Sequence, residues 1–308
     1  ARPPGHFRYA AGRLRHTARI RSRASGPSSM PPDGANWRPL HLRESDMRIG
    51  FIGIGLMGLP LCKRLLAADC ELAVWNRSAG KCEALVAAGA RRAATPAELA
   101  AGVDLLLICV ADDDALEAVT FGPDGIASGA TAGLLVADHS SSSPAATRRI
   151  AARLAGETGA RWIDAPVSGG VIGAEQGALV IMAGGRAEDI SRATPVFLHY
   201  ARRVTRMGDT GAGQVTKVCN QLIVAANSLL IAETVALAER AGVDAALLAP
   251  ALAGGFADSL PFQILAPRMA ERRFEPVQWK VQTLLKDLGN ALGLAGQVGS
   301  ATPLARTA

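Results

Sequence analysis

The sequence predicts an α/β fold: a Rossmann-type, doubly wound parallel sheet followed by an all-helical C-terminal domain. Three observations carry this expectation. From Met47 onward, short β-rich runs alternate with helical patterns, as parallel strands joined by helical crossovers do. A G-x-G-x-x-G run, "GFIGIGLMG", falls between the first strand pattern and the first helix pattern. After Gly213 the chain shows only helix-like segments, the first of them about thirty residues long and ending at Gly242.

In chain order, "RIGFIGI" reads as a strand, "MGLPLCKRLLAADC" as a helix, "ELAVWNR" as a strand and "AGKCEALVAAGA" as a helix. A short turn leads to "TPAELAAG", a helix with Thr95 as N-cap and Pro96 at its first position. "VDLLLICV" is the continuous apolar run of a central parallel strand, and "DDALEAVTF" is a helix. "GLLVADHS" and "RWIDAPV" are strands separated by a helix that Ser143 and Pro144 open, and "GALVIMAGG" and "ARRVTRMG" are later strands. The expected division is a basic extension over 1–46, a dinucleotide-binding domain over 47–210 and a helical domain for substrate and dimerisation over 211–308.

The 308 residues suffice for about two domains. No window holds the roughly 18 uninterrupted apolar residues of a membrane span, so no membrane partner is expected. The net charge of +6 resides in residues 1–46, where nine arginines face three acids; the remaining 24 basic and 24 acidic residues balance. A nucleic-acid role would therefore rest wholly on that segment, and none is expected. The segment has no periodic apolar stripe and should be disordered. It reads either as an arginine-rich transit peptide or as an extension ahead of a true start at Met47. Five cysteines without paired spacing suit reduced thiols in a cytosolic protein. Outside the extension only His139 and His199 are present, too few for a histidine metal site or a Ser/His/Asp triad.

Gly53, Gly55 and Gly58 have the spacing of a dinucleotide loop: the first for a tight turn, the second for close approach to a pyrophosphate, the third for helix–strand packing. An NAD site places an acid at the end of the second strand to accept from the ribose hydroxyls. This chain has Asn76, Arg77 and Ser78 there, with Lys81 following. The arginine can pair with a 2′-phosphate, so NADP is expected over NAD. "DAPVSGGVIGAEQGAL" offers the Ser168 hydroxyl and the unobstructed amides of Gly169 and Gly170, which suit a small carboxylate or merely a structural turn. In "GAGQVTKVCNQ", Lys217, Asn220 and Gln221 share one helix face. A cleft lysine there would have its pKa lowered toward proton transfer; on physics alone a solvated surface lysine competes with that reading.

Taken together, "GFIGIGLMGLPL", "DHSSSSP", "DAPVSGGVIGAEQGAL", "GAGQVTKVCNQ" and "LLKDLGNA" resemble, in order, the blocks of the β-hydroxyacid dehydrogenase family, which includes 3-hydroxyisobutyrate dehydrogenases, 2-hydroxy-3-oxopropionate reductases and glyoxylate/succinic semialdehyde reductases. The resemblance spans Met47 to about residue 291. It implies Lys217 as catalytic acid/base and Ser168, Gly169, Gly170 and Asn220 as substrate contacts. It also implies cofactor contacts from Gly53, Gly55, Leu56, Met57, Gly58, Asn76, Arg77, Ser78, Val110, Ser141 and Lys286, with Asp287 nearby. Ser141 stands where the family usually has threonine, and Gln221 where many members have asparagine. "WNRS" matches the NADP-preferring branch. Family members continue past "SATPLARTA" with a further helix, so the chain is expected to be truncated there.

The expectation is a cytoplasmic NADP-dependent oxidoreductase interconverting a small carboxylate-bearing hydroxy acid and its semialdehyde, working without metal as a homodimer or homotetramer. Two alternatives remain: an imine reductase-like enzyme, whose members usually carry Asp or Tyr in place of Lys217, and a non-catalytic NADP-binding module. 6-Phosphogluconate dehydrogenase, also related, has a much larger helical domain than 211–308 supplies.

Overall fold

A computed structural model describes residues 47–275 and 281–307; the expectations for residues 1–46 lie outside the described residues. The strands are β1 (Ile49–Ile52), β2 (Leu72–Trp75), β3 (Arg91–Arg92), β4 (Leu105–Ile108), β5 (Leu135–Asp138), β6 (Arg161–Asp164), β7 (Val167–Ser168), β8 (Leu179–Gly184) and β9 (Ala201–Gly208). The helices of the first part are α1 (Gly58–Ala67), α2 (Glu83–Ala87), α3 (Pro96–Ala101), α4 (Asp113–Phe121), α5 (Ile126–Gly129), α6 (Pro144–Thr158), α7 (Gly170–Glu175) and α8 (Ala187–Phe197). Those that follow are α9 (Ala212–Arg240), α10 (Leu248–Leu252), α11 (Leu260–Ala270), α12 (Val281–Val298) and α13 (Pro303–Thr307).

The sheet runs β3-β2-β1-β4-β5-β6-β8-β7, with β9 also on β8. The first six of these strands pair in parallel, in the order of a dinucleotide-binding sheet. The β8 contacts to β6 and β7 are antiparallel. All four residues of β1, β4 and β5 are buried, because helices cover both faces. Successive side chains therefore enter two different cores: Phe51, Leu105 and Leu107 one, Ile52, Leu106 and Ile108 the other. Thr95 and Ser143 cap α3 and α6 as expected, accepting from the amides of Glu98 (3.0 Å) and Ala146 (3.1 Å).

Five elements escaped the sequence patterns: β3, α5, β7, α7 and α8, of which α5 and α7 are only four and six residues long, too short to show a helical period. β3 is two exposed arginines inside the expected turn, too short and too polar to show a period. β7 is the two-residue continuation of the substrate-loop strand across Pro166. α8 buries Ile190, Ala193, Val196 and Phe197 along one stripe, but Pro195 within it masks the helical signal.

α9 is 29 residues long and packs against α11, α12 and β8. It buries Ile231 and Val235 against Phe262 and Ala266, and Ala225 against Leu288 and Ala305. Polar residues interrupt it, so no unbroken apolar run announced a span; averaged over 18 residues its hydropathy is nevertheless 1.6, enough by length and composition to cross a membrane. The core helix of a bundle meets the same two criteria. Ile223, Leu230 and Leu237 on this helix are 61%, 61% and 70% exposed.

Candidate active site

The three loop glycines meet three different physical demands. Gly53 adopts φ 100°, and a Cβ there would lie 2.1 Å from the Cys109 carbonyl oxygen. A Cβ on Gly58 would lie 2.0 Å from the Gly53 carbonyl oxygen, so the start of α1 can cross the loop this closely only at a glycine. At Gly55 a Cβ would meet nothing within 4 Å: this glycine leaves open space at the exposed backbone, which is what an approaching pyrophosphate needs. Leu56 is exposed and Met57 half-buried at the same loop.

At the end of β2, Asn76 is committed to structure. Its Oδ1 accepts from the Ile54 amide (2.9 Å) and its Nδ2 donates to the Ser78 carbonyl (3.0 Å), which ties the strand end to the glycine loop. Arg77 and Ser78 are exposed beside it. Val110, after β4, donates its amide to Ser140 Oγ (2.9 Å), joining the ends of β4 and β5. A cavity of about 740 Å³ opens beside the loop, lined by Ile54, Gly55, Leu56, Lys63 and Lys81 among others; Lys217 is not part of it.

The start of α9 is set by Asp164 at the end of β6. Its Oδ1 accepts from the Gly211 amide (2.7 Å) and its Oδ2 from that of Gln214 (2.9 Å). A carboxylate at a helix N-terminus satisfies free donors and complements the dipole. Burial nevertheless pushes its pKa up to about 6, against the pull of these amides. Gly211 takes φ 93°, and a Cβ on Gly213 would lie 2.4 Å from the Met182 carbonyl and 2.6 Å from that of Asp164. The glycine pair of "GAGQVTK" is thus what lets the helix begin against the sheet. Gln214, fully buried, donates to the Ser140 carbonyl (2.8 Å) and accepts from the Ser142 amide (3.3 Å).

One turn later stands Lys217, half-buried rather than solvated. Its Nζ donates to the Val167 carbonyl (2.9 Å) and to Gln221 Oε1 (3.0 Å). Burial lowers its pKa to about 8, with the Asp287 charge opposing and Lys286 assisting. Asn220 Nδ2 donates to the same Gln221 oxygen (2.8 Å), and Ser168 Oγ donates to Asn220 Oδ1 (3.3 Å). Gln221 Nε2 donates to Asp287 Oδ2 on α12. Gly169 (φ 132°) and Gly170 (φ 63°) follow Ser168, exposed at the rim. Lys286 Nζ donates to the carbonyls of Ser141 (2.7 Å) and Ala111 (3.0 Å), bringing α12 onto the strand ends. Between these groups lies a cavity of only about 10 Å³, near the room one water needs.

Hydrogen bonds thus join Lys217, Gln221, Asn220 and Ser168 in one chain, Lys286 reaches the Ser141 carbonyl, and Arg77 and Ser78 are exposed after β2. Asp164 and Gln214 were missed by sequence reasoning. Their signal was faint: an acid closing a strand and one amide opening an apolar helix. Among the described residues no group of three His, Cys, Asp or Glu side chains is placed to hold a metal, and no two cysteines are joined in a disulfide.

Residues 48–208 match the family model described as the NAD-binding domain of 6-phosphogluconate dehydrogenase, and residues 211–308 match that described as NAD-binding of NADP-dependent 3-hydroxyisobutyrate dehydrogenase. The 2-hydroxy-3-oxopropionate reductase of Escherichia coli K12 is 38% identical over 246 residues, covering 80% of this chain and 83% of its own length. Glyoxylate/succinic semialdehyde reductase 2 of Arabidopsis thaliana is 30% identical, covering 84% of this chain and 72% of its own. The solved structure of Mycobacterium tuberculosis 3-hydroxyisobutyrate dehydrogenase with L-serine aligns at a TM-score of 0.76 and 28% identity, covering 85% of this chain and 90% of the other.

Proposed function

Because this chain belongs to the β-hydroxyacid dehydrogenase family, an NAD(P)-binding group of oxidoreductases acting on CH–OH donors, we propose that it interconverts a small carboxylate-bearing hydroxy acid and its semialdehyde with NADP, using Lys217 as acid/base. The observation that supports this most is the placement of Lys217: an ammonium with a lowered pKa, held by two acceptors beside Ser168 and Asn220 at the sheet's C-terminal edge.

The bound nicotinamide supplies or accepts the hydride. Everything else falls to the chain. In reduction, Lys217 Nζ gives a proton to the carbonyl oxygen as it becomes an alkoxide, and its charge stabilises that oxygen. In oxidation the neutral amine takes the proton back. Ser168, Asn220 and the amides of Gly169 and Gly170 hold the substrate carboxylate, with glycines leaving those amides unobstructed. Residues 47–210 hold the cofactor, and residues 211–308 bring Lys217, Asn220 and Lys286 across it. The preference for NADP rests on Arg77 and Ser78 exposed at the end of β2, where no carboxylate stands to repel a 2′-phosphate. A homodimer or homotetramer accounts for the exposed Ile223, Leu230 and Leu237 of α9, which a second copy would cover.

The test is turnover of tartronate semialdehyde and succinic semialdehyde, followed by NADPH oxidation. Lys217→Ala should lose about 10²–10⁴-fold in kcat while still binding NADPH; retained turnover refutes the role of Lys217. Arg77→Ala should raise KM for NADPH about tenfold or more and leave NADH use unchanged, in keeping with the loss of a charge-assisted pair. A wild type that prefers NADH refutes the cofactor reading.

A further inference from the structure

Lys217 can be effective in proton transfer only if its nitrogen presents the transferable proton, or the lone pair left behind, to the substrate oxygen. An ammonium has three N–H donors and no acceptor. Here two of them are taken up by protein acceptors, the Val167 carbonyl and Gln221 Oε1. The first is backbone and fixed. The second is a side-chain amide, which could rotate to turn its NH₂ toward the lysine instead and would then repel it. Gln221 is held from turning by what lies on its far side: its Nε2 donates to Asp287, a carboxylate that only accepts. Asn220 Nδ2, donating to the same Oε1, acts in the same sense. Gln221 is itself buried, so water does not offer its amide a competing arrangement.

We infer that Gln221, oriented by Asp287, is a positioning residue that keeps two N–H bonds of Lys217 on the protein and leaves the third position aimed into the cleft. The inference rests on Lys217 being the acid/base. In reduction an Nζ–H bond breaks, an O–H bond forms on the substrate, and the electron pair remains on Nζ. The neutral amine keeps its other two N–H bonds on Val167 and Gln221, so the lone pair points where the proton left. The reverse step then needs no rotation of the side chain. Asp287 has a second effect through space. Of the charged groups among the described residues that act on Lys217, it favours the ammonium and the adjacent Lys286 disfavours it; from the strand side the Val167 carbonyl accepts.

The experiment compares Gln221→Met, Asp287→Asn and the exchange variant Gln221→Glu/Asp287→Asn with wild type, using the full chain and tartronate semialdehyde with NADPH. Gln221→Met removes the acceptor at similar volume. It should lower kcat about tenfold or more, leave both KM values near wild type, and raise the solvent isotope effect on kcat as proton transfer becomes limiting. Asp287→Asn should move the alkaline limb of reductive kcat to lower pH. Labelling of Lys217 by an amine-acylating reagent, read by mass spectrometry without cofactor or substrate, should shift the same way. In the exchange variant the carboxylate introduced at position 221 accepts both from Lys217 and from the amide introduced at position 287, so kcat should recover while the limb moves to higher pH. A role confined to folding predicts compounded losses instead. Wild-type kcat and limb in Gln221→Met, or no recovery in a folded exchange variant, overturns the inference. If Lys217→Ala also retains turnover, the acid/base reading itself has failed; if Lys217→Ala is inactive, only the positioning role has.

Discussion

Gly213→Ala should damage this protein more than any propensity scale suggests, and the close contacts around it say by how much. Alanine is favoured over glycine inside a helix by about 1 kcal/mol. At Gly213, however, the new Cβ would lie 2.4 Å from the Met182 carbonyl, 2.6 Å from the Asp164 carbonyl and 2.8 Å from Asp164 Oδ2. The two nearest are backbone oxygens and the third, a side-chain oxygen, is pinned by the Gln214 amide, so the helix start must lift from the sheet. Overpacking of this kind costs roughly 1–3 kcal/mol. Lifting the helix also stretches the Asp164 bonds to the Gly211 and Gln214 amides, and bonds to charged groups contribute roughly 1.5–3 kcal/mol. After the propensity gain, the net loss is about 1.5–5 kcal/mol, a fall in Tm of roughly 3–20 °C for a unit of this size. Scanning calorimetry reads the loss, and kcat falls with it because Lys217 lies one turn down the same helix. Gly293→Ala on α12, where a Cβ meets nothing within 4 Å, is the control and should stabilise by roughly 0.5–1 kcal/mol. A Gly213→Ala protein as stable as wild type would refute the close-approach argument.

Two further outcomes follow from named atoms. Gly55→Val should fold normally and bind NADPH at least about tenfold more weakly, because its side chain enters the open space at the loop, whereas Gly58→Ala should lose stability outright through the 2.0 Å clash with the Gly53 carbonyl; calorimetry and fluorescence titration separate the two, and equal behaviour would contradict the assigned roles. The lowered pKa of Lys217, about 8 against an ordinary 10.5, makes its burial unfavourable wherever the unfolded chain holds the proton and the folded one must also keep it. Stability therefore rises from pH 8 to pH 10.5, and over that window wild type should gain roughly 2–3 kcal/mol relative to Lys217→Met in denaturant melts; parallel pH profiles would sink the assignment of a buried, neutralising lysine.

Much of the site was legible because its parts are local. A glycine spacing between strand and helix, a serine followed by two glycines, and polar residues three and four apart on one helix each encode geometry within a few residues. The caps at Thr95 and Ser143 were legible for the same reason. β3 and β7 were not, since two residues cannot show a period, and Pro195 hid α8. Asn76, expected as a cofactor contact from its place at the end of β2, shows a further role that no local pattern carries: it bonds to the Ile54 amide and the Ser78 carbonyl, tying the strand end to the glycine loop.

The sequence by itself determined the alternation of strands and helices, the dinucleotide loop, the absence of an acid at the end of β2, and the shared face of Lys217, Asn220 and Gln221, all of which depend on neighbours along the chain. Only the tertiary structure decided that Lys217 is half-buried and held rather than solvated. That outcome depends on Val167, fifty positions earlier, and Asp287, seventy positions later, arriving at the same nitrogen and amide. Burial, hydrogen-bond partners and the charge next door are properties of the packed assembly of β7, α9 and α12, and no one segment carries them.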